Sequence, residues 1–100
     1  MARGYWIGRV DVTNRDAYQS YVQAAAAAFA EYGARFLVRG GRFEALEGTS
    51  RGRNVVIEFA DYDTALACYN SPEYRAAKAH RAGAVVLDLI IVEGYDGVPL

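Results

Sequence analysis

The fold is decided by the stretch Leu89-Ile90-Ile91-Val92-Glu93-Gly94, read together with Tyr69-Asn70-Ser71-Pro72-Glu73-Tyr74. The first stretch is an apolar run that ends in glycine, which predicts a final core strand. The second breaks a helix and restarts it, because Ser71 is a suitable N-cap and Pro72 has no N–H to satisfy at the first helical position. The chain is therefore predicted to end on a broken helix followed by a strand.

The earlier elements follow from periodicity. Aromatic residues at helical spacing around the alanine run 24–28 predict a first helix, capped by Thr13 or Asn14 and ended by Gly33. The second helical region is predicted to begin near Asp61 and to close at Gly83. Strands are predicted over 5–12, 34–39, an irregular continuation at 42–47, 54–60 and 85–93. This order predicts an α+β fold, a ferredoxin-like βαββαβ sandwich with an antiparallel sheet, in a single domain over residues 1–100.

Alternation divides each predicted strand into two faces. One face is apolar and is predicted to meet the helices. The other mixes apolar side chains with the charged residues Arg9, Asp11, Arg39, Glu58 and Asp88. This second face is too hydrophobic for free solvent and too charged for a dry core. It is typical of a subunit interface that encloses a polar pocket.

Composition excludes several classes of function. With 100 residues, 53% of them hydrophobic, and a net charge of −1, the chain does not suit general electrostatic binding to nucleic acid or to a membrane surface. No apolar run approaches the ~18 residues of a membrane span. Cys68 is the single cysteine, which predicts a reducing, cytoplasmic setting. Neither a metal site nor a cofactor is predicted, since no histidine pair, cysteine pair or carboxylate loop is present.

Five segments share a pattern that spans nearly the whole chain; they are 9–12 (RVDV), 32–41 (YGARFLVRGG), 46–48 (LEG), 69–74 (YNSPEY) and 91–94 (IVEG). With these segments the chain resembles the bacterial domain-of-unknown-function family DUF1330, within the dimeric α+β barrel superfamily. The resemblance implies two subunits packed sheet against sheet in a homodimer. It brings no reaction, and Cys68 and His80 depart from the family pattern.

The charged residues of the mixed face are the catalytic candidates. Arg39 has a planar guanidinium group, whose N–H donors can hold a carboxylate or enolate oxygen. Asp11, Glu58 or Asp88 would hold Arg39 or accept a proton in a desolvated pocket. A network of interfacial ion pairs is the equally weighted alternative for these four residues.

Four further residues are candidates for ligand binding. Tyr21, Tyr69 and Tyr74 would rim a pocket for an aromatic ligand, although tyrosines at helical spacing are also typical of a core. His80 is the only histidine, and it is either a general base or a solvated surface residue.

Two functions remain open at this point. The first is a cofactor-independent enzyme that acts on a small aromatic or carbonyl compound in a pocket near the dimer interface, an analogy with the wider superfamily. The second is a noncatalytic homodimer that binds a small ligand or serves as an accessory module. Both predict a homodimer, and the enzyme and the ligand-binding form also predict a small-molecule ligand as a partner.

Overall fold

The computed structural model describes residues 2–97, which form a four-stranded antiparallel sheet covered on one side by helices. Across the sheet the strands lie in the order β2-β3-β1-β4, so β1 is central and the predicted βαββαβ fold is confirmed. Within residues 2–97, no helix has both the length and the apolar run that crossing a bilayer requires. The elements are β1 (Gly4–Val12), α1 (Arg15–Glu31), β2 (Arg35–Arg39), β3 (Arg53–Phe59), α2 (Tyr62–Tyr69), α3 (Pro72–Ala79) and β4 (Val85–Glu93).

The helix ends follow the capping residues in the sequence. The Asn14 side chain accepts a hydrogen bond from the Ala17 N–H at the start of α1, and Gly33 ends that helix with a φ of 68°. Ser71 separates α2 from α3 and caps α3, with Pro72 in its first turn. The predicted caps and the predicted break are therefore confirmed, because the side-chain acceptors satisfy N–H groups that the helix leaves unpaired.

Trp6 is the centre of the core. Its indole ring is 2% exposed and lies 4.9 to 5.9 Å, between ring centroids, from four other rings. Its N–H donates a hydrogen bond of 2.8 Å to the Ala65 carbonyl, which joins β1 to α2. The four rings come from α1, β3, α2 and α3, and they belong to Phe29, Phe59, Tyr69 and Tyr74.

A bulge in β2 changes which residues of that strand face the helices, so the predicted faces of β2 are partly wrong. Phe36 pairs with Ile57, but the next two pairs are Val38 with Val56 and Arg39 with Val55, so Leu37 is an extra residue. An extra residue reverses the alternation beyond it. Val38 therefore lies on the open face of the sheet, and Arg39 lies on the helix face. The prediction that Arg39 shares a face with Asp11, Glu58 and Asp88 is wrong.

The predicted strand continuation at 42–47 is also wrong. Residues 40–52 form no strand, and all of them except Arg51 are exposed. Gly40 turns the chain out of β2 with a φ of 70°, a conformation that glycine adopts without strain. We call residues 40–52 the arm. It returns to the open face of the sheet, where Arg9 donates a hydrogen bond of 2.9 Å to the Thr49 carbonyl.

The cap of α3 gives a test of the fold. The buried Ser71 hydroxyl donates to the Cys68 carbonyl at 2.7 Å and accepts from the Tyr74 N–H at 3.1 Å. We expect Ser71→Ala to lower the free energy of unfolding by ~1–2 kcal/mol in urea titrations, because it leaves the Tyr74 N–H without its acceptor and removes the hydroxyl bond to the Cys68 carbonyl. Ser20→Ala is the matched control. Its hydroxyl bonds only the Asp16 carbonyl on the exposed side of α1, so we expect a change within ~0.5 kcal/mol. Equal losses in both variants would contradict this account of the helix break.

Candidate functional site

A cavity lies between the helix face of the sheet and α1, where the central strand carries no side chain. Gly8 faces the helices between Trp6 and Val10, and a Cβ built on it would lie 3.6 Å from Leu89 Cδ1. The cavity has a volume of about 60 Å³. This is room for roughly four to six water molecules. Most of its wall is apolar and comes from Trp6, Val22, Phe29, Phe36, Ile57 and Leu87.

Two of the predicted ligand-binding tyrosines meet in this wall. The hydroxyl oxygens of Tyr21 on α1 and Tyr74 on α3 are 2.7 Å apart, and their ring centroids are 6.0 Å apart. Burial, followed by the neighbouring Tyr74, raises the pKa of Tyr21 far above its usual value. The Tyr21 hydroxyl is therefore neutral at physiological pH and offers hydrogen bonds, not charge.

Three guanidinium groups line the cavity. Arg39 lies 4.1 Å above the Phe36 ring, and it pairs across the sheet with Val55, which is itself next to Gly8. The Arg53 Nε–H donates to the Tyr18 hydroxyl at 3.2 Å. Arg81 donates to the Tyr74 hydroxyl at 3.4 Å. None of the three arginines makes an ion pair within residues 2–97. The N–H groups of these arginines that do not donate to Tyr18 or Tyr74 therefore have no carboxylate acceptor in the part of the chain that the structure describes.

An open groove adjoins the cavity between the end of α3 and β4. It has a volume of about 410 Å³, and it shares Arg81, Val85, Leu87 and Leu89 with the cavity. Tyr69, the third predicted ligand-binding tyrosine, lies here and accepts a hydrogen bond of 2.9 Å from the Lys78 ammonium group. The fourth candidate, His80, is exposed at the end of α3 and lines neither the cavity nor the groove.

The candidate carboxylates lie on the opposite face of the sheet. Asp11 and Asp88 are bridged by Arg51 of the arm, at 2.9 Å and 2.8 Å. Asp11 also accepts a hydrogen bond of 2.8 Å from the Gly52 N–H, and Glu58 accepts one of 3.2 Å from the Tyr5 hydroxyl. The structure brings two of these carboxylates together with an arginine, but the arginine is not Arg39.

Several site residues were not found by sequence reasoning. Arg53 and Arg81 of the cavity and Lys78 of the groove carry no local pattern that distinguishes them from surface cations. Gly8 did carry a signal, because a glycine inside a strand often marks a place where another group approaches closely. Nothing in the sequence indicates that Arg51 folds back to the sheet.

Cys68 is inaccessible to reagents. Its side chain is fully buried, and its Sγ lies 3.9 Å from the Ala28 carbonyl oxygen. Burial, with a smaller effect of Glu73, raises the pKa of the thiol to about 12. It is therefore a core thiol without thiolate character. Within residues 2–97, no group of three or more histidine, cysteine or acidic side chains is placed to hold a metal ion.

Comparison with known proteins supports the family resemblance. The family model described as "Domain of unknown function (DUF1330)" matches residues 3–95 of the chain. No curated protein matches the sequence.

Solved structures share the fold at low sequence identity. A protein of unknown function from Rhodopseudomonas palustris has a TM-score of 0.77 and 18% identity, over 96% of this chain and 85% of the other. SnoaB, a cofactor-independent oxygenase from Streptomyces nogalater, has a TM-score of 0.60 and 14% identity over 100% of both chains. A dimeric ferredoxin-like protein of unknown function from Thermobifida fusca has a TM-score of 0.59 and 19% identity, over 92% and 89%. These similarities confirm the ferredoxin-like fold.

The Asp11 contact predicts a pH dependence. The Gly52 N–H, and then Arg51, hold the pKa of Asp11 below its usual value. A carboxylate with a lowered folded pKa stabilises the fold above its unfolded pKa of about 3.9, and this contribution is lost as the pH falls through the folded value. We expect Asp11→Asn to be less stable than wild type at pH 7 in urea titrations, and the difference to disappear at acidic pH. A difference that is independent of pH would contradict the assignment.

Proposed function

Because the chain belongs to the DUF1330 family, a domain of unknown function, we propose its function from its own cavity: the protein binds a small aromatic or carbonyl-containing molecule between the sheet and α1. One observation carries this proposal. The cavity at Gly8 combines an apolar, aromatic wall with three guanidinium groups that have no carboxylate partner within residues 2–97.

The wall suits the ring of a ligand. Trp6, Phe29 and Phe36 surround the space with aromatic surface, and aromatic rings favour edge or offset contacts with one another. Ligand sites are usually apolar pockets with a few placed polar groups. The cavity beside Gly8 has this composition, and at about 60 Å³ it has to widen by movement of its side chains before a ring enters.

The cations suit an oxygen of the ligand. Arg39 and Arg53 are on adjacent strands, and both line the cavity. A guanidinium group donates several hydrogen bonds in one plane, which matches the lone pairs of a carbonyl or enolate oxygen. We assign the binding of that oxygen to these two arginines, with the hydroxyls of Tyr21 and Tyr74 as further hydrogen-bonding groups.

Binding is better supported than proton transfer. No aspartate, glutamate or histidine is among the described residues that line the cavity. A general base has to lie within hydrogen-bonding reach of the proton that it removes. Asp11 and Asp88 are instead occupied by Arg51 on the far face of the sheet. Their role in this proposal is to fasten the arm.

A cofactor-independent enzyme is the second candidate, and the similarity of fold to the oxygenase SnoaB favours it. Arg39 and Arg53 would stabilise the enolate of a bound carbonyl compound, which lowers the pKa of that compound so that water takes the proton. Turnover that Arg39→Ala abolishes, with the assembly intact, would decide for the enzyme. Binding without turnover decides for the first candidate.

Filling the cavity from the strand tests the proposal. Gly8→Ala places a methyl group in the cavity at ordinary contact distance from Leu89. Since glycine inside a strand costs ~0.5–1 kcal/mol relative to alanine, we expect stability to be unchanged or higher. We expect the affinity for acetophenone to fall roughly tenfold, because overfilling a packed site costs ~1–3 kcal/mol. Fluorescence of Trp6, the only tryptophan, reports binding from inside the cavity.

Gly41→Ala is the control for this experiment. It makes the same substitution in the arm, where a Cβ would meet no atom within 4 Å, so we expect wild-type affinity. If acetophenone and other small aromatic carbonyl compounds leave Trp6 fluorescence unchanged in the wild type, or if Gly8→Ala binds them as tightly, the proposed site is wrong.

We further propose that two copies of the chain pack through their open sheet faces. A row of apolar side chains crosses this face through Val38, Val56, Ile7 and Ile90, which are paired across the strands. Ile90 is 57% exposed and Val38 is 41% exposed. Exposed apolar patches of this kind mark association surfaces, and the structural relative from Thermobifida fusca is described as dimeric.

Sedimentation velocity tests the homodimer. We expect wild type to sediment as a dimer and Ile90→Lys to sediment as a monomer, because a charge in the apolar row would be buried without a partner. Leu66→Lys is the matched control. Leu66 is 38% exposed on α2, away from the open face, so this variant should remain dimeric. A monomeric wild type, or a dimeric Ile90→Lys, would contradict the proposed interface.

A further inference from the structure

We propose that the groove beside the cavity is an anion subsite, which holds the carboxylate of a ligand whose aromatic ring lies in the cavity. This inference rests on the proposed function, because it places the second part of the same ligand. It assigns the ligand to a chemical class, the short arylalkanoates.

The groove presents two cations and no described anion. Lys78, the only lysine of the chain, lies in the last turn of α3, with its ammonium group 2.9 Å from the Tyr69 hydroxyl. Arg81 follows one turn later and lines the same groove. No acidic residue is among the described residues of the groove, and neither cation makes an ion pair within residues 2–97. Two cations that face one space, without a counter-ion from the protein, favour an anionic ligand.

A second observation concerns one atom of Arg81. Its Nε–H is buried and has no hydrogen-bond partner within the described residues. A buried donor without an acceptor costs free energy, so such groups are rare, and a bound molecule that supplies the acceptor is one explanation for them. The same side chain donates to the Tyr74 hydroxyl and lies 5.2 Å from the centre of the Tyr21 ring, so its position is fixed on the cavity side.

The cavity and the groove share a wall at Arg81. Both are lined by Arg81, Val85, Leu87 and Leu89. Leu89 pairs with Gly8 across the sheet, so the shared wall leads from the space at Gly8 towards the groove. A short alkyl chain that rests on these aliphatic side chains would join a ring in the cavity to an anion in the groove.

A carboxylate fits this pair of donors. The guanidinium group of Arg81 presents donors in one plane, while the Lys78 ammonium group is a compact charge with three donors. Both line the groove, and together they would hold one carboxylate through charge-assisted hydrogen bonds. The flexible Lys78 stem at the rim allows the ammonium group to follow the bound anion.

The test compares 3-phenylpropanoate with its neutral analogue 3-phenylpropanamide, with Trp6 fluorescence and calorimetry as readouts. We expect wild type to bind the acid at least about tenfold more tightly than the amide, since hydrogen bonds to charged groups are the stronger ones. Lys78→Met should remove most of that preference, because it weakens binding of the acid far more than binding of the amide, and Lys78→Arg should restore it. Arg75→Met is the control: Arg75 lies on the same helix and lines neither space, so the preference should persist.

The outcomes separate this inference from the proposed function. If both probes bind equally and Lys78→Met changes neither affinity, the anion subsite is wrong and the aromatic cavity stands. An equal loss in Arg75→Met would also overturn the subsite, because it would indicate a general effect of charge. If neither probe binds to the wild type, the cavity is not a ligand site and both proposals fail.

Discussion

The structure depends on how Trp6 is held. Its indole is buried from the central strand, its N–H is bonded to the Ala65 carbonyl, and rings from three helices and from β3 pack around it. A large ring that is hydrogen-bonded at one edge and packed on several sides sets the distance between the helices and the sheet. Gly8 lies two residues further along the same strand and has no side chain to fill the space between the sheet and the helices. The cavity is the consequence of placing tryptophan and glycine next to each other on one face.

The two faces of the sheet differ in whether their arginines are paired with carboxylates. On its helix side, Arg39, Arg53 and Arg81 surround an apolar space without carboxylates among its described lining. On its open side, Arg51 neutralises Asp11 and Asp88 and fastens the arm to the sheet. An arginine that is paired with carboxylates of the protein has a structural role. The arginines beside the cavity have no carboxylate partner in the described residues, so they are the candidates for ligand binding. This separation supports binding through the helix side and association through the open side.

Apart from the strand continuation at 42–47, sequence periodicity predicted the elements, their order and the caps, because each depends on residues that are close together in the chain. Ser71 and Pro72 are an example, since their effect on the backbone is local. The face of Arg39 was not predictable, because a single extra residue at Leu37 reverses all that follows it in the strand. The role of Arg51 depends on the path of the exposed arm, which no periodic pattern describes. The cavity depends on volumes that several elements leave unfilled, and only the interior glycine Gly8 hinted at it.

Both ligand proposals require that the space beside Gly8 receives a ligand. A crystal structure of the protein soaked with 3-phenylpropanoate tests it most directly. The account predicts electron density for the ring between Trp6 and Gly8, with the carboxylate between Lys78 and Arg81. Density for the ring only on the open face of the sheet, or a cavity closed by its own side chains with no ligand inside, would contradict it.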